Sequence, residues 1–254
     1  MEQGFALIAL CIGLFFISIL YSSVGHGGAS GYLAVLSLTT YSQMDSAWLK
    51  QHAWVLNLAV AGIAFYHYSK SGHHVVSKSL PFIIASIPLA FIGGYLKVDG
   101  VIYDTLLSFT LLYAAIRLLI NEENSVVQIS EPKPIQAYSF GGGIGFLSGI
   151  IGVGGGIFLS PILLLKKWAT PKSAAATAAL FIWVNSAAGL LGATTSGQLV
   201  LETSTLLPFL LAVGIGGLLG SKYGSQRARP KTVQNILIAV LLIASVKRIV
   251  ELLV

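Results

Sequence analysis

Charge is what this sequence has least of. Of 254 residues, 9% are Asp, Glu, Lys or Arg, while 55% are hydrophobic. Soluble domains carry about 25% charged residues. A soluble chain this poor in charge could not cover its surface, whereas one facing lipid has no such need. One cysteine, Cys11, excludes an intramolecular disulfide. Carboxylates are missing from the middle of every apolar run, since Asp45, Asp99 and Asp104 lie at run ends. The carboxylate relays usual in proton-driven pumps are therefore not visible. No Walker motif is present, so ATP is not used by this chain. No Lys or Arg precedes the first apolar run, Phe5–Leu20, which reads as a retained span rather than a leader.

The cations that do occur give a net charge of +6. They gather at the ends of apolar runs, where they fix topology and meet anionic lipid rather than nucleic acid. Eight apolar segments follow one another: 4–38, 46–68, 76–96, 101–120, 135–165, 171–195, 203–223 and 230–254. Each is long enough for a helical crossing, which needs about 20 mostly apolar residues. The expected fold is an all-α integral membrane protein of about eight transmembrane helices. Residues 1–120 form a first four-helix repeat, 121–134 a polar linker with three Glu and two Pro, and 135–254 a second repeat. A multi-pass position in a membrane, with lipid as the main surroundings, follows.

The first and fifth segments are too long for one straight crossing at about 1.5 Å per residue. Glycine interrupts both: Gly25-His-Gly-Gly28 in one, Gly152-Val-Gly-Gly-Gly156 followed by Pro161 in the other. Glycine costs a helix about 1 kcal/mol per residue and proline about 3, so both helices are expected to break inside the membrane. The breaks correspond. With Gly25 on Gly152, Gly27 meets Gly154 and Gly28 meets Gly155, an offset of 127, half of 254. Asn57 falls near Asn185 with a slip of one. Four straight crossings per half would make the repeats parallel, and a re-entrant hairpin at each break would make them inverted. Under eight crossings, nine cations face one side and six the other. The cluster in the second half, Lys166–Lys172 and Lys222–Lys231, assigns those loops to the cytoplasm and the termini to the outside.

Paired breaks at matching positions of two halves point to a transporter site. Breaking a helix frees N–H groups that lipid cannot satisfy, and the new N-terminus carries partial positive charge. Gly25, Gly27, Gly28, Gly152, Gly154, Gly155 and Gly156 are thus expected to form two nests that bind a small anion. His26 would donate to that anion or titrate with it, with Ser22, Ser23 and Ser30 as hydroxyl donors. Asn57 and Asn185 would line the cavity, since an amide in lipid needs a partner. Trp54, Trp183 and His52 are weaker candidates for the lining. Gly93, Gly94, Gly216, Gly217 and Gly220 are expected to serve helix packing. His67, His73 and His74 lack a third ligand, so no metal site, cofactor or catalytic residue is expected.

The motifs VGHGG at 24–28 and GVGGGIFLSP at 152–161, with the Thr170-Pro-Lys-Ser-Ala-Ala-Ala176 segment and the basic turn before the last run, resemble the sulfite exporter TauE/SafE family, also called the 4-toluene sulfonate uptake permeases. The resemblance covers nearly the whole chain. It implies a multi-pass permease of the cytoplasmic membrane for sulfite, thiosulfate, sulfonates, sulfoacetate or related organosulfur anions, with the seven glycines above as site residues. His26 departs from the family's first motif, and no proline stands at Ala34, so strict two-fold symmetry of the site is in doubt. The expected function is secondary transport, with a proton or sodium as coupling ion and a homo-oligomer as an option. A passive anion channel is the nearest alternative. An intramembrane serine hydrolase using Ser30, with His26, His52 or His67 as base, is the remote one.

Overall fold

The computed structural model describes residues 2–120 and 129–228, together with 242, 243, 246 and 250. The eighth expected span, 230–254, lies outside the described residues but for those four positions, as does most of the linker. Among the described residues all regular structure is helical: α1 (Glu2–Ser22), α2 (Ala29–Ser37), α3 (Ser46–Lys70), α4 (Val76–Tyr95), α5 (Gly100–Ile120), α6 (Pro134–Ile151), α7 (Gly156–Leu165), α8 (Pro171–Thr195) and α9 (Thr203–Gln226), with a short 3-10 turn at Thr40–Gln43.

Local chemistry sets the starts. The Asp45 carboxylate accepts the Trp48 N–H at 2.6 Å to cap α3, and the Thr170 hydroxyl accepts the Ser173 N–H at 3.3 Å to cap α8. Pro134 and Pro171 occupy the first turns of α6 and α8, where no N–H is needed. On length and composition, α4, α8 and α9 are each apolar and long enough to cross a bilayer. Large apolar side chains stand exposed on the outer faces, among them Ile12, Phe16, Ile84, Leu207, Leu211 and Ile215. Exposed apolar area on this scale suits lipid, not water.

Hydrogen bonds and close contacts fix the helix directions. At one end, that of Asp45, Lys50 Nζ donates to Leu96 O (3.3 Å), Gln51 Nε2 to Gln198 O (2.6 Å) and Glu202 N to His52 Nε2 (3.3 Å). The start of α3, the ends of α4 and α8 and the start of α9 therefore share a level. At the opposite end, that of Lys70, Tyr68 OH donates to Ser23 O (2.8 Å), Lys172 Nζ to Ser225 O (2.9 Å) and Ser130 N to Lys167 O (2.9 Å). So α1, α3 and α9 run from the Asp45 end to the Lys70 end, and α4, α6 and α8 run back.

Glycine stripes make the closest packings. On α6, Gly141, Gly145 and Gly149 lie against the backbone of Phe82, Ser86 and Ala90 of α4. On α9, Gly216, Gly220 and Gly224 lie against Phe15, Ile19 and Ser23 of α1. A Cβ at any of these would overlap the facing main chain, which is how small residues let membrane helices approach. Between these pairs α3 and α8 cross antiparallel: Trp54 covers Gly189, and Trp183 covers Gly62.

The long first and fifth segments each fold into a hairpin. Gly31 of α2 faces Ile17 and Tyr21, and Gly13 faces Val35, so α2 returns along α1. Gly155 faces Ile144 and Ser148, so α7 returns along α6. The return limbs have 9 and 10 residues, about half the length of a crossing. Because of the hairpins, Lys70, Lys78, Lys133, Lys166, Lys167, Lys172, Lys222 and Arg227 all lie at the Lys70 end, and Lys50 and Lys97 at the other. This differs from the nine-to-six division that uninterrupted crossings produce, because each hairpin adds a reversal.

Candidate functional site

Both return limbs begin near the middle of the molecule. Four glycines bend the chain there in the left-handed region, where a side chain would be strained: Gly25 (φ +74°) and Gly28 (φ +100°) before α2, Gly154 (φ +76°) and Gly155 (φ +83°) before α7. Gly152 (φ +90°) ends α6. Gly28 and Gly155 are the N-caps, and neither offers a side chain to the helix it starts. The N-termini of two half-helices thus lie buried in the same region, each worth roughly half a positive charge.

Asn57 joins the two. A Cβ on Gly27 would overlap its amide oxygen, and a Cβ on Gly154 would come within 2.8 Å of its amide nitrogen. Ile182 of α8 touches the same two glycines and Gly156. The Asn57 oxygen accepts the Ala29 N–H at 3.0 Å, and its Nδ2 donates to Ser186 Oγ at 3.3 Å. His26 reaches across: Nδ1 lies 2.9 Å from Val24 O, and Nε2 lies 3.2 Å from Gly156 O on α7. Tyr32 covers Gly28 and donates to Gly27 O at 2.8 Å.

The sequence-derived residues divide. Gly27, Gly28, His26, Asn57, Gly154, Gly155 and Gly156 come together around the two N-termini. Gly25 abuts Ala175, and Gly152 abuts Lys50, at the outer edges of the two loops. Ser22 and Ser23 donate to Ile19 O (3.4 Å) and Leu20 O (2.7 Å) of their own helix. Ser30 donates to Tyr21 OH at 2.9 Å, and no histidine among the described residues bonds to it. Asn185 is fully buried, and neither amide atom has a hydrogen-bond partner among the described residues. That is expensive for a buried amide, and it lies one residue from Ser186, the acceptor of Asn57.

Other candidates fall elsewhere. His52 stacks on Trp48 at 3.7 Å and bonds Trp48 O and Glu202 N, at the Asp45 end. Trp54 is buried, and Trp183 is 43% exposed towards the outside. His67, His73 and His74 bond separately to Ser221, Ser225 and Ser79, and no cluster of three metal-ligating side chains occurs among the described residues.

Lys50 is a buried lysine beside the second loop that the sequence pattern did not single out. It is only 2% exposed, lies against Gly152, and makes one long hydrogen bond, to Leu96 O. Its amine stands 5.7 Å over the Trp54 ring. The signal was its position inside the apolar segment 46–68, where a lysine is costly unless it serves a purpose.

Described residues that are helical throughout their regular structure, with an apolar exterior, mark a multi-pass membrane protein. The sulfite exporter TauE/SafE family profile matches residues 10–248, and the chain belongs to that family. A probable membrane transporter protein of Sinorhizobium fredii is 34% identical over 245 residues, covering 94% of this chain and 97% of its own length. A probable membrane transporter protein of Methanocaldococcus jannaschii is 27% identical over 189 residues, 70% of each chain. No solved structure matches significantly.

Proposed function

We propose that the protein is a secondary transporter for a small sulfur-containing anion such as sulfite, thiosulfate or an organosulfonate. The observation that carries this reading is the convergence of Gly28–Ala29 and Gly155–Gly156, two half-helix N-termini, on one buried place. Such termini bind anions through backbone N–H groups and partial charge. The low dielectric of the site strengthens both effects. The sulfur class comes from the family.

Residues 1–120 and 135–254 act as two inverted repeats joined by 121–134. The supporting observations are paired: α1 runs parallel to α9 as α6 does to α4, α3 crosses α8 antiparallel, and each counterpart runs the opposite way to its mate. The anion sits between the repeats, held by the N–H groups of α2 and α7. Asn57 fixes the α2 terminus, and the unsatisfied Asn185 amide supplies a further donor. Lys50 adds a full positive charge beside the second loop, which offsets part of the cost of moving an anion from water. Rocking of one repeat on the other around this site would expose it to alternate faces.

The test is reconstitution in liposomes with labelled sulfite, thiosulfate and sulfoacetate, alongside a Gly154→Leu/Gly155→Leu double variant. Saturable uptake that the variant abolishes is expected. No uptake of any of these anions, from either side and with a proton or sodium gradient imposed, would overturn the reading. Uptake that rises without saturating would favour a channel instead.

A further inference from the structure

We propose that His26 carries the proton that couples transport to a proton gradient, so that each anion crosses with one proton in the same direction; this rests on the anion-transporter reading above. A neutral imidazole has one N–H and one lone pair. Both ring nitrogens of His26 face carbonyl oxygens, Val24 O at 2.9 Å and Gly156 O at 3.2 Å. The neutral ring satisfies one of them and turns a lone pair on the other. The imidazolium donates to both. The two carbonyls belong to different half-helix junctions, Val24 before α2 and Gly156 at the start of α7. Protonation therefore ties the two junctions together, and loss of the proton releases one.

The surroundings leave the imidazolium one natural counter-charge. Tyr21 of α1 meets the ring edge-on at 6.5 Å. From α7 it meets Gly156; α8 offers Ala175 and Ile182 to the adjoining glycines, and α3 offers Asn57 and, nearer the Lys70 end, Tyr68. Of the two lysines of α3, Lys50 lies against Gly152 on the opposite junction, and Lys70 stands exposed at the helix end. Among the described residues no carboxylate touches the ring. An anion lodged between the two N-termini would supply the missing negative charge. Each then raises the affinity of the site for the other by the same factor. Two ligands that favour each other's binding load together and unload together, which is co-transport, not exchange. The proton comes from water at one face and returns to water at the other, and no covalent bond besides N–H changes. The second half has Val153 at the matching position, so one proton site serves the whole molecule.

The full-length chain is reconstituted in liposomes clamped at zero voltage, with a pH dye inside and labelled thiosulfate or sulfoacetate outside. A gradient of one pH unit, acid outside, is expected to drive about tenfold accumulation of the anion, the equivalent of about 1.4 kcal/mol, with internal acidification. His26→Gln keeps a donor and an acceptor but does not titrate. It is expected to transport more slowly and to lose both accumulation and acidification. His26→Val, copying Val153, is the second variant should the first fail to fold. His74→Gln, in the loop before α4, is expected to accumulate the anion as the wild type does. Uptake by the wild type that ignores the gradient, or accumulation that survives in either His26 variant, would overturn the inference while leaving the transporter reading intact. No uptake at all would overturn both.

Discussion

Asn57 accepts the Ala29 N–H at 3.0 Å across 28 residues of chain, so one amide on α3 caps a half-helix that has no capping side chain of its own. Its counterpart on α8, Asn185, is equally buried and has no hydrogen-bond partner among the described residues. The two amides are therefore expected to respond differently to replacement. Asn57→Ala removes a cap and a bond to Ser186, and should lower stability by about 1 kcal/mol together with transport. Asn185→Leu removes an unsatisfied group worth about 1–3 kcal/mol. It should unfold at the same or a higher temperature in detergent, yet bind anion more weakly. Thermal melts with and without substrate, set beside uptake, separate the two effects. An Asn185→Leu protein that transports normally would remove that side chain from the site.

Glycines of one helix-and-loop unit make a second contrast. Gly154 has φ +76°, and a Cβ there would lie 2.6 Å from Ile182 and 2.8 Å from Asn57. Gly154→Ala is expected to cost about 1–3 kcal/mol in strain and to reduce uptake at least tenfold. Gly143 on α6 has open space around it. Gly143→Ala should stabilise the helix by up to about 1 kcal/mol and leave uptake unchanged. Equal loss in both variants would mean that general helix disruption, not the loop, is being measured.

Lys50 offers a test of electrostatics. Replacing a buried charge by an apolar side chain of similar length is often neutral or stabilising. Lys50→Met is accordingly expected to keep or raise the melting temperature while raising the half-saturating anion concentration tenfold or more. Lys50→Arg should retain more of the affinity than Lys50→Met. An unchanged half-saturation in Lys50→Met would show that the amine serves packing against Trp54 and Gly152 alone.

The distribution of basic residues predicts orientation. Of the ten cations placed above, eight lie at the Lys70 end and two at the Asp45 end, which puts the Lys70 end in the cytoplasm. In a Cys11→Ser background, single cysteines in place of Lys78 or Lys167 should resist a membrane-impermeant maleimide in intact cells. Cysteines in place of Lys97 or Gln198 should react. The reverse labelling pattern would invert the assignment.

Much of this was legible in residues 1–254 read as a string. The apolar runs, the glycine clusters at a spacing of 127 and the amides at 57 and 185 mark helices, their interruptions and a buried polar pair without any coordinates. These signals are local, because a helix, its break and its caps depend on neighbours within a turn or two. Ser22 and Ser23 obey the same locality: their hydroxyls bond carbonyls of their own helix, three residues back.

What the string could not settle was direction and adjacency. Whether the glycine breaks are passed straight through or turned back upon depends on the contacts of Gly13 with Val35 and of Gly155 with Ile144, between residues that only folding brings together. Each reversal changes which end every later loop reaches, and so moves Lys70, Lys78 and Lys133 to the same side as Lys172. Lys50 meets Gly152 only because α6 ends against α3, and His26 meets Gly156 O across 130 residues while its other nitrogen faces Val24 O. Composition and periodicity determined that the chain lives in lipid and where its helices break. Only tertiary structure, by packing α1 on α9, α4 on α6 and α3 on α8, decided that both breaks meet at one place, and the proposed anion site rests on that meeting of two positive helix ends.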